Sequence, residues 1–348
     1  MKITSSSIET VDIRLTRSIT TARGSLGDRS GIRVRLETSD LVGFGESAPI
    51  PGASDAGSLE AMASELDTWT ASATGATVDD LLAGLDAAAL GPLARFAAHT
   101  ALADLASQGA EAPLHHWLRA GSSPTVRTST LVAAESPKDV HGLVADQISR
   151  GVTAIKLKVA TVDTALDATR IIAASEACGP DIELRLDANG GWTHDETLRV
   201  IGRVGRHRIG YLEDPTSDPA TFGAIAEATG VAIAYDVPET DTALDSVLER
   251  TGATVMVVKA AAVGGIDRIM AAARRLEDGQ RLIVSSSIDG PIGLRAGLHA
   301  AAALPQDDAH GLGTADLVRR MPEALEPSDG RVALDDAPGL GHSDDAES

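Results

Sequence analysis

The second two thirds of the chain carry a rhythm that leaves few folds open. Short apolar runs recur at Val126–Val132, Ala154–Val159, Ile182–Asp187, Ile209–Glu213, Val231–Asp236, Thr254–Lys259 and Leu282–Ser285. Their starts lie 22 to 28 residues apart, room for one strand, one helix and two turns. Runs that are apolar throughout suit strands covered on both faces, the condition of a parallel sheet. Parallel neighbours need a crossover, so the spacing predicts repeated βα units. Seven units plus a weaker eighth run at Ala309–Leu312 favour a closed (β/α) barrel. No GxGxxG follows the first run, so a dinucleotide fold lacks its usual mark.

The chain ahead of these repeats reads differently. Met1–Leu15 alternates polar and apolar residues, Ile32–Glu37 alternates strictly, and Leu41–Glu46 supplies a partner strand. From about Ser58 to Gly109 the pattern is helical and rich in Ala. An α+β unit is therefore expected over roughly the first 120 residues, ending at the Gly121-Ser122-Ser123-Pro124 break. No secretory leader and no run long enough to span a membrane is visible, so a soluble cytoplasmic protein is the expectation. The acidic stretch from His342 to Ser348 reads as a frayed tail.

One charged residue closes most of the buried runs: Lys158, Asp187, Glu213, Asp236 and Lys259, separated by 29, 26, 23 and 23 residues. Barrel enzymes place their chemistry at the C-terminal ends of strands. Taken singly, an acid there is usually a helix cap or a surface charge, and that reading is kept for Asp195, Asp214 and Glu239. Five at one phase are a different matter. Three carboxylates converging on one rim would repel unless a hard cation joined them, and an all-oxygen set suits Mg²⁺, with Mn²⁺ as an alternative. Metal plus lysine is a known solution for removing a proton beside a carboxylate, the metal stabilising the enediolate.

Composition sharpens the lysines. The 348 residues include 30 basic ones, of which only five are lysine: Lys2, Lys138, Lys156, Lys158 and Lys259. Arginine is essentially never deprotonated, whereas a buried lysine can act as a base. Three of the five lysines thus fall on the one rim where arginine could not serve. The 50 acidic residues set the net charge at −20, which argues against nucleic acid as a partner. A single cysteine, Cys178, excludes an intrachain disulfide framework and a Cys-rich metal site.

The motifs Lys156-Leu157-Lys158, Arg185-Leu186-Asp187-Ala188-Asn189, Glu213-Asp214-Pro215, Asp236 and Lys259 followed by Val263-Gly264-Gly265 together resemble the enolase superfamily, in its muconate-cycloisomerase-type branch. Asp104-Leu105-Ala106 with Pro113-Leu114 is similar to the end of the family's capping domain. Pro338-Gly339-Leu340-Gly341 is similar to its closing segment. The resemblance implies an α/β fold: a modified TIM barrel, (β/α)₇β, over residues 123–321, with an α+β cap over 1–122 and a C-terminal segment, 322–348, returning to it.

Within the branch, Thr21-Ala22-Arg23-Gly24 and Gly43 to Gly52, including Pro51, resemble the loops of o-succinylbenzoate synthases. These dehydrate a succinyl-hydroxycyclohexadiene carboxylate to o-succinylbenzoate in menaquinone synthesis. On that resemblance Lys158 would remove the proton alpha to the carboxylate and assist departure of the hydroxyl. Lys259 would hold its ammonium near the intermediate from the opposite face. Lys156 would sit beside Lys158 and touch the carboxylate. Asp187, Glu213 and Asp236 would ligate Mg²⁺, with Asn189 behind them.

Other positions stay open between two readings. Arg185 is either a site residue or a salt bridge. The amides of Ser285, Ser286 and Ser287 either hold the distal carboxylate or the serines merely cap a helix. Gly311 to Thr314 either lines the pocket or turns the chain. His99 is expected in the core or an interface, and no histidine falls at a main strand end, which disfavours a histidine-based mechanism. The family commonly has Asp-Glu at the third metal position, whereas Asp236 is followed here by Val237-Pro238-Glu239.

The partner expected is a small carboxylate, with no nucleic acid or membrane, and self-association is compatible with it. Racemisation of N-acylamino acids or epimerisation of dipeptides would use the same lysines and metal. A dipeptide epimerase would usually carry Asp-x-Asp on the last strand, where this chain has Gly311-Leu312-Gly313. Muconate cycloisomerisation is a weaker alternative, and a non-catalytic metal-binding relative is the alternative of another class. The acid excess, with arginine replacing lysine, reads as a surface adapted to a salty cytoplasm. The melting temperature should therefore rise between low and molar salt, and no change would contradict this reading.

Overall fold

The structure is a computed structural model. It describes all residues except 22–23, 51–57, 206–208, 239–240, 242 and 342–348, and only the backbone at 19–21 and 24–25. Near the start lie β1 (Ser5–Ile13), β2 (Ile19–Thr21), β3 (Gly24–Leu26), β4 (Arg29–Glu37) and β5 (Val42–Ser47). Strands β1, β4 and β5 form an antiparallel sheet in that order, and β2 pairs with β3. Helices α1 (Leu59–Ala73), α2 (Val78–Gly84), α3 (Pro92–Gly109) and α4 (Leu114–Leu118) follow. Few aromatics are available, so small residues bring α3 close to the sheet. A Cβ on Gly45 would lie only 1.9 Å from the carbonyl oxygen of Ala97 on α3, which leaves room for glycine alone.

Beyond this unit β6 (Thr125–Arg127) leads into β7 (Thr130–Val132), β8 (Ala154–Lys158), β9 (Glu183–Asp187), β10 (Tyr211–Glu213), β11 (Ile233–Asp236), β12 (Val255–Lys259) and β13 (Arg281–Ser285). The crossovers are α5 (Pro137–Ser149), α6 (Thr164–Cys178), α7 (His194–Val204), α8 (Phe222–Thr229), α9 (Val247–Thr251), α10 (Ala260–Val263) with α11 (Ile266–Ala273), and α12 (Pro291–Ala303) follows β13. Strands β7 to β13 form one parallel sheet in chain order.

The first apolar run needs correcting. It is not a single barrel strand: β6 pairs antiparallel with β14 (Arg331–Ala333), and only β7 joins the barrel sheet. The turn to a new partner falls at Thr128, whose amide bonds the Gly330 carbonyl.

The weak eighth run closes the circle. Gly311 bridges Ser285 on one side, and His310 bridges Thr128 on the other, both in parallel. The seam is made by amides of Gly311 to Val284 O, Ser286 to Gly311 O, His310 to Arg127 O and Ser129 to His310 O, at 2.8–3.0 Å. With no sheet edge left, the strands' inner faces enclose their own small core of Tyr211, Ala234, Val255, Val257 and Ile283. The larger core lies outside it, between strands and helices.

Beneath the inner core is a charged floor. Arg185, fully buried, donates to Glu183 Oε2 (2.9 and 2.6 Å) and to Ala309 O (2.6 Å), with its guanidinium 4.9 Å from the Tyr211 ring centre. Arg281 bridges Glu183 and Asp308. Of its two readings, Arg185 is therefore the salt bridge.

The N-terminal unit is fastened to the barrel at several points. On α3, Arg95 donates to Asp267 and to Gly264 O, and His99 Nε2 lies 3.3 Å from Asp267. His99 is thus an interface residue. Asp104 accepts the amides of Phe44 (3.0 Å) and of Leu340 (2.9 Å) in the C-terminal segment. Gly339 O receives the Leu114 amide at 2.7 Å. Among the described residues no helix is long and apolar enough to cross a membrane.

Three of the four buried histidines among the described residues set a pH limit on the fold. Burial holds His299 and His310 down to about 3 and His99 to about 4, in the last case against the pull of Asp267, whose charge Arg95 already offsets. These rings are neutral in the folded chain, and the unfolded chain binds their protons near the ordinary histidine value. Each ring therefore contributes stability that is fully present above about pH 6.5 and falls below it, by up to about 1.4 kcal/mol per pH unit, while the raised carboxyl of Asp214 pulls the other way. Urea titrations between pH 7 and 5 should show that slope, and His310→Gln should make it shallower.

Candidate active site

The strand ends converge because of register. Lys158 pairs with Asp187, and Asp187 pairs with Glu213. Glu213 then pairs with Ala234, and Asp236 with Val257, so the charged positions step up by two residues at each of these strands. Such a stagger is what tilted strands need for side chains to stay at one rim. Lys158 on β8 and Lys259 on β12 thus flank three strands that each end in a carboxylate.

The polar groups at this rim bind one another. Lys156 Nζ lies 2.6 Å from Glu213 Oε1 and 3.0 Å from Asp187 Oδ2, spanning β9 to reach β10. Lys158 Nζ lies 3.3 Å from Asp187 Oδ2. Lys259 Nζ donates to both oxygens of Asp236. Asn189, in a left-handed conformation, donates its amide (3.1 Å) and its side-chain nitrogen to Asp187 Oδ1, and so holds that carboxylate.

The electrostatics follow from burial and pairing. Burial alone would raise Asp187, but the ammoniums of Lys156 and Lys158 outweigh it and hold the carboxyl low. Glu213 goes the other way: burial, with the charges of Asp187 and Asp236, raises it despite Lys156. Lys156 loses solvation too, yet Asp187 and Glu213 keep it firmly an ammonium.

Glu213 Oε2 is buried without a hydrogen-bond partner among the described residues. An orphaned carboxylate oxygen beside two further carboxylates is the donor chemistry that a hard divalent cation satisfies. As the side chains stand, no three acidic, histidine or cysteine groups among the described residues form a ready cage, because ammonium groups hold the carboxylates. Asp187, Glu213 and Asp236 offer oxygen donors alone, the chemistry that suits a hard cation.

Asp214 corrects the sequence reading. It is neither a cap nor a surface charge: its backbone is left-handed, and its Oδ1 accepts the Asp236 amide at 3.2 Å. Burial, then Asp236 and Glu213, push its carboxyl up to about 8. The visible signal was Pro215 directly after it, which stiffens the turn beyond the strand end. Asp195 is exposed in the first turn of α7, as expected. Glu239, Ala22, Arg23 and Pro51 lie outside the described residues.

The amides after β13 are already taken. Ser286 N bonds Gly311 O, Ser287 N bonds Asp289 Oδ2, and the amides of Ile288 and Asp289 bond Ser286 Oγ. Gly290 is the N-cap of α12 and no side chain caps the helix, so neither reading of the serines describes these amides. Gly311 lies on the closure seam, where a Cβ would come within 2.6 Å of Ser285 Oγ.

A buried pair missed in the sequence supports Lys158 from behind. Arg170 donates to the carbonyls of Lys158 and Ala134, both at 2.8 Å, and to Asp167 at 2.5 Å. Asp167 in turn accepts the amides of Ala160 and the indole N–H of Trp192. The only sequence signal is acid and base three apart on one helix, too common to single out.

The profile of the family described as Enolase C-terminal domain-like matches residues 139–348. The chain belongs to the enolase superfamily. It is 31% identical over 315 residues to the o-succinylbenzoate synthase of Escherichia coli O127:H6, covering 87% of this chain and 89% of that one. The dipeptide epimerase of Enterococcus faecalis V583, solved with Mg and the dipeptide L-Leu-L-Tyr, superposes with a TM-score of 0.87 at 25% identity, covering 98% and 99%. The muconate lactonizing enzyme of Pseudomonas fluorescens, solved with muconolactone, shares the fold with a TM-score of 0.86 at 23% identity over 99% and 97%. The modified barrel with its capping sheet is thus the fold of the superfamily.

Removing Arg170 would strand Asp167 in the interior. Arg170→Met should cost about 3–5 kcal/mol in denaturant unfolding, whereas the exposed Arg14→Met should be near neutral.

Proposed function

We propose that this enzyme dehydrates 2-succinyl-6-hydroxy-2,4-cyclohexadiene-1-carboxylate to 2-succinylbenzoate, an o-succinylbenzoate synthase reaction. The observation that carries the reading is the rim itself, with Lys158 and Lys259 on either side of Asp187, Glu213 and Asp236, in a chain 31% identical to a protein of that name.

Lys158, as the free amine, takes the proton from the ring carbon that bears the carboxylate. The electron pair left behind forms a ring double bond as the neighbouring C–O bond breaks. The Lys158 ammonium returns its proton to the departing hydroxyl, so water leaves and the ring becomes aromatic. Lys259 keeps its ammonium on the opposite face, where it offsets the negative charge that builds up. Lys156, a fixed cation, steadies the substrate carboxylate. Asp187, Glu213 and Asp236 would hold Mg²⁺, which when bound supplies positive charge that acidifies the proton alpha to the carboxylate. Asn189 keeps Asp187 aimed.

Racemisation of N-acylamino acids or epimerisation of dipeptides is the second reading, favoured by the two lysines facing each other and by the likeness to the dipeptide epimerase. Against a dipeptide, the eighth strand offers Gly311 and Gly313 where an amine-binding acid pair would be needed.

The test mixes protein and Mg²⁺ with the cyclohexadiene, and separately with N-succinylamino acids and dipeptides. Aromatisation that stops when EDTA is added is expected. Racemisation with no o-succinylbenzoate formed would reject the proposal. Lys158→Ala should lower turnover by about 10³-fold or more with folding intact, and retained activity would reject Lys158 as the base.

A further inference from the structure

We infer that Arg29, on the N-terminal sheet, is a positioning residue for the active-site rim: it clamps the loop after β13 in a strained shape that fixes the wall beside Lys259. This rests on the proposed reaction for its kinetic part only. Strand β13 ends at Ser285, which pairs in register with Lys259, so the segment Ser286–Asp289 leaves the barrel next to that lysine. Within it Ile288 adopts φ +62°, the left-handed region, which a β-branched side chain strongly disfavours. Residues held there persist only when their surroundings over-determine them.

Arg29 supplies that restraint from across the interface. It is 7% exposed, and one terminal nitrogen, Nη2, donates to both Ser287 O (2.7 Å) and Ile288 O (2.6 Å). Those two carbonyls flank the strained residue. From inside the loop, Ser286 Oγ accepts the Ile288 amide at 2.8 Å and donates to Asp289 Oδ2 at 2.8 Å. The loop can close these bonds by itself, but nothing in it holds the two carbonyls turned to the same side. An arginine can, because the two hydrogens of Nη2 lie in the fixed plane of its guanidinium and diverge toward the two carbonyls. Its Nε and Nη1 are buried without hydrogen-bond partners among the described residues, and the charges of Asp289 and Glu46 offset the burial of its guanidinium. The site is then assembled only when the N-terminal sheet is docked.

The experiment is a double-mutant cycle with two readouts. Arg29→Met should raise KM about tenfold with kcat changed less than about threefold, and should speed amide exchange at Ser287–Asp289 by a similar factor. Ile288→Asn alone gives up packing against the core but should leave KM and exchange near the parent values, since asparagine accepts the left-handed conformation. In the Arg29→Met background it should bring both KM and exchange most of the way back. A residue that merely stabilises the fold would not be rescued by changing that one backbone preference.

Unchanged exchange in Arg29→Met, or no rescue by Ile288→Asn, would overturn the inference. If Arg29→Met fails to fold, Arg29→Lys carries the same cycle, keeping the charge and losing the planar, fixed donor geometry. If the unmutated protein does not turn over the cyclohexadiene while the exchange pattern holds, the proposed function fails and the clamp stands.

Discussion

The rim exists because a seven-stranded sheet is closed by one short segment. His310 and Gly311 bridge β13 to the chain just before β7, and with that seam made the strand ends face one another instead of fanning out. Closure also dictates what each level inside can hold. At the bottom, Arg185 and Arg281 neutralise Glu183 and Asp308; in the middle lie Tyr211, Val257 and Ile283; at the top stand the lysines and carboxylates. Charged groups sit on both ends of a small apolar plug. Among the described residues, only the upper of these two sets has an orphaned oxygen, at Glu213, beside the carboxylates that end β9 and β11.

Much of this was legible in the chain because buried parallel strands leave a strong signature. Uninterrupted apolar runs at one spacing disclosed β8 to β13, and the charged residue ending most of them disclosed the rim. The scarcity of lysine pointed to the same place. What was not legible depends on contacts between residues distant in the chain. The split of Val126–Val132 between β6 and β7 is set by β14, some 200 residues later. Asp214 looked like an ordinary cap because its bond to the Asp236 amide, on the next strand, cannot be read from the chain. Arg185 could be resolved only once Glu183 and Ala309 were known to meet it. The serines after β13 suggested free amides, but Asp289 and Gly311 had already claimed them.

The N-terminal unit contributes more than cover. Arg95 and Asp267 bind α3 to the barrel, Asp104 gathers β5 and the C-terminal segment, and Arg29 reaches the loop next to Lys259. Each joins elements far apart in the sequence. The proposed reaction, with its two lysines and a cation in fixed relation, would gain from such bracing, since misplacement by an ångström costs much of the advantage of holding reactants together.

A crystal structure with Mg²⁺ and o-succinylbenzoate tests the convergence of the rim most directly. The cation should bind oxygens of Asp187, Glu213 and Asp236, and the aromatic carboxylate should lie between the Nζ atoms of Lys158 and Lys259. A cation bound elsewhere, or Lys259 still tied to Asp236 with the product outside the barrel mouth, would contradict it.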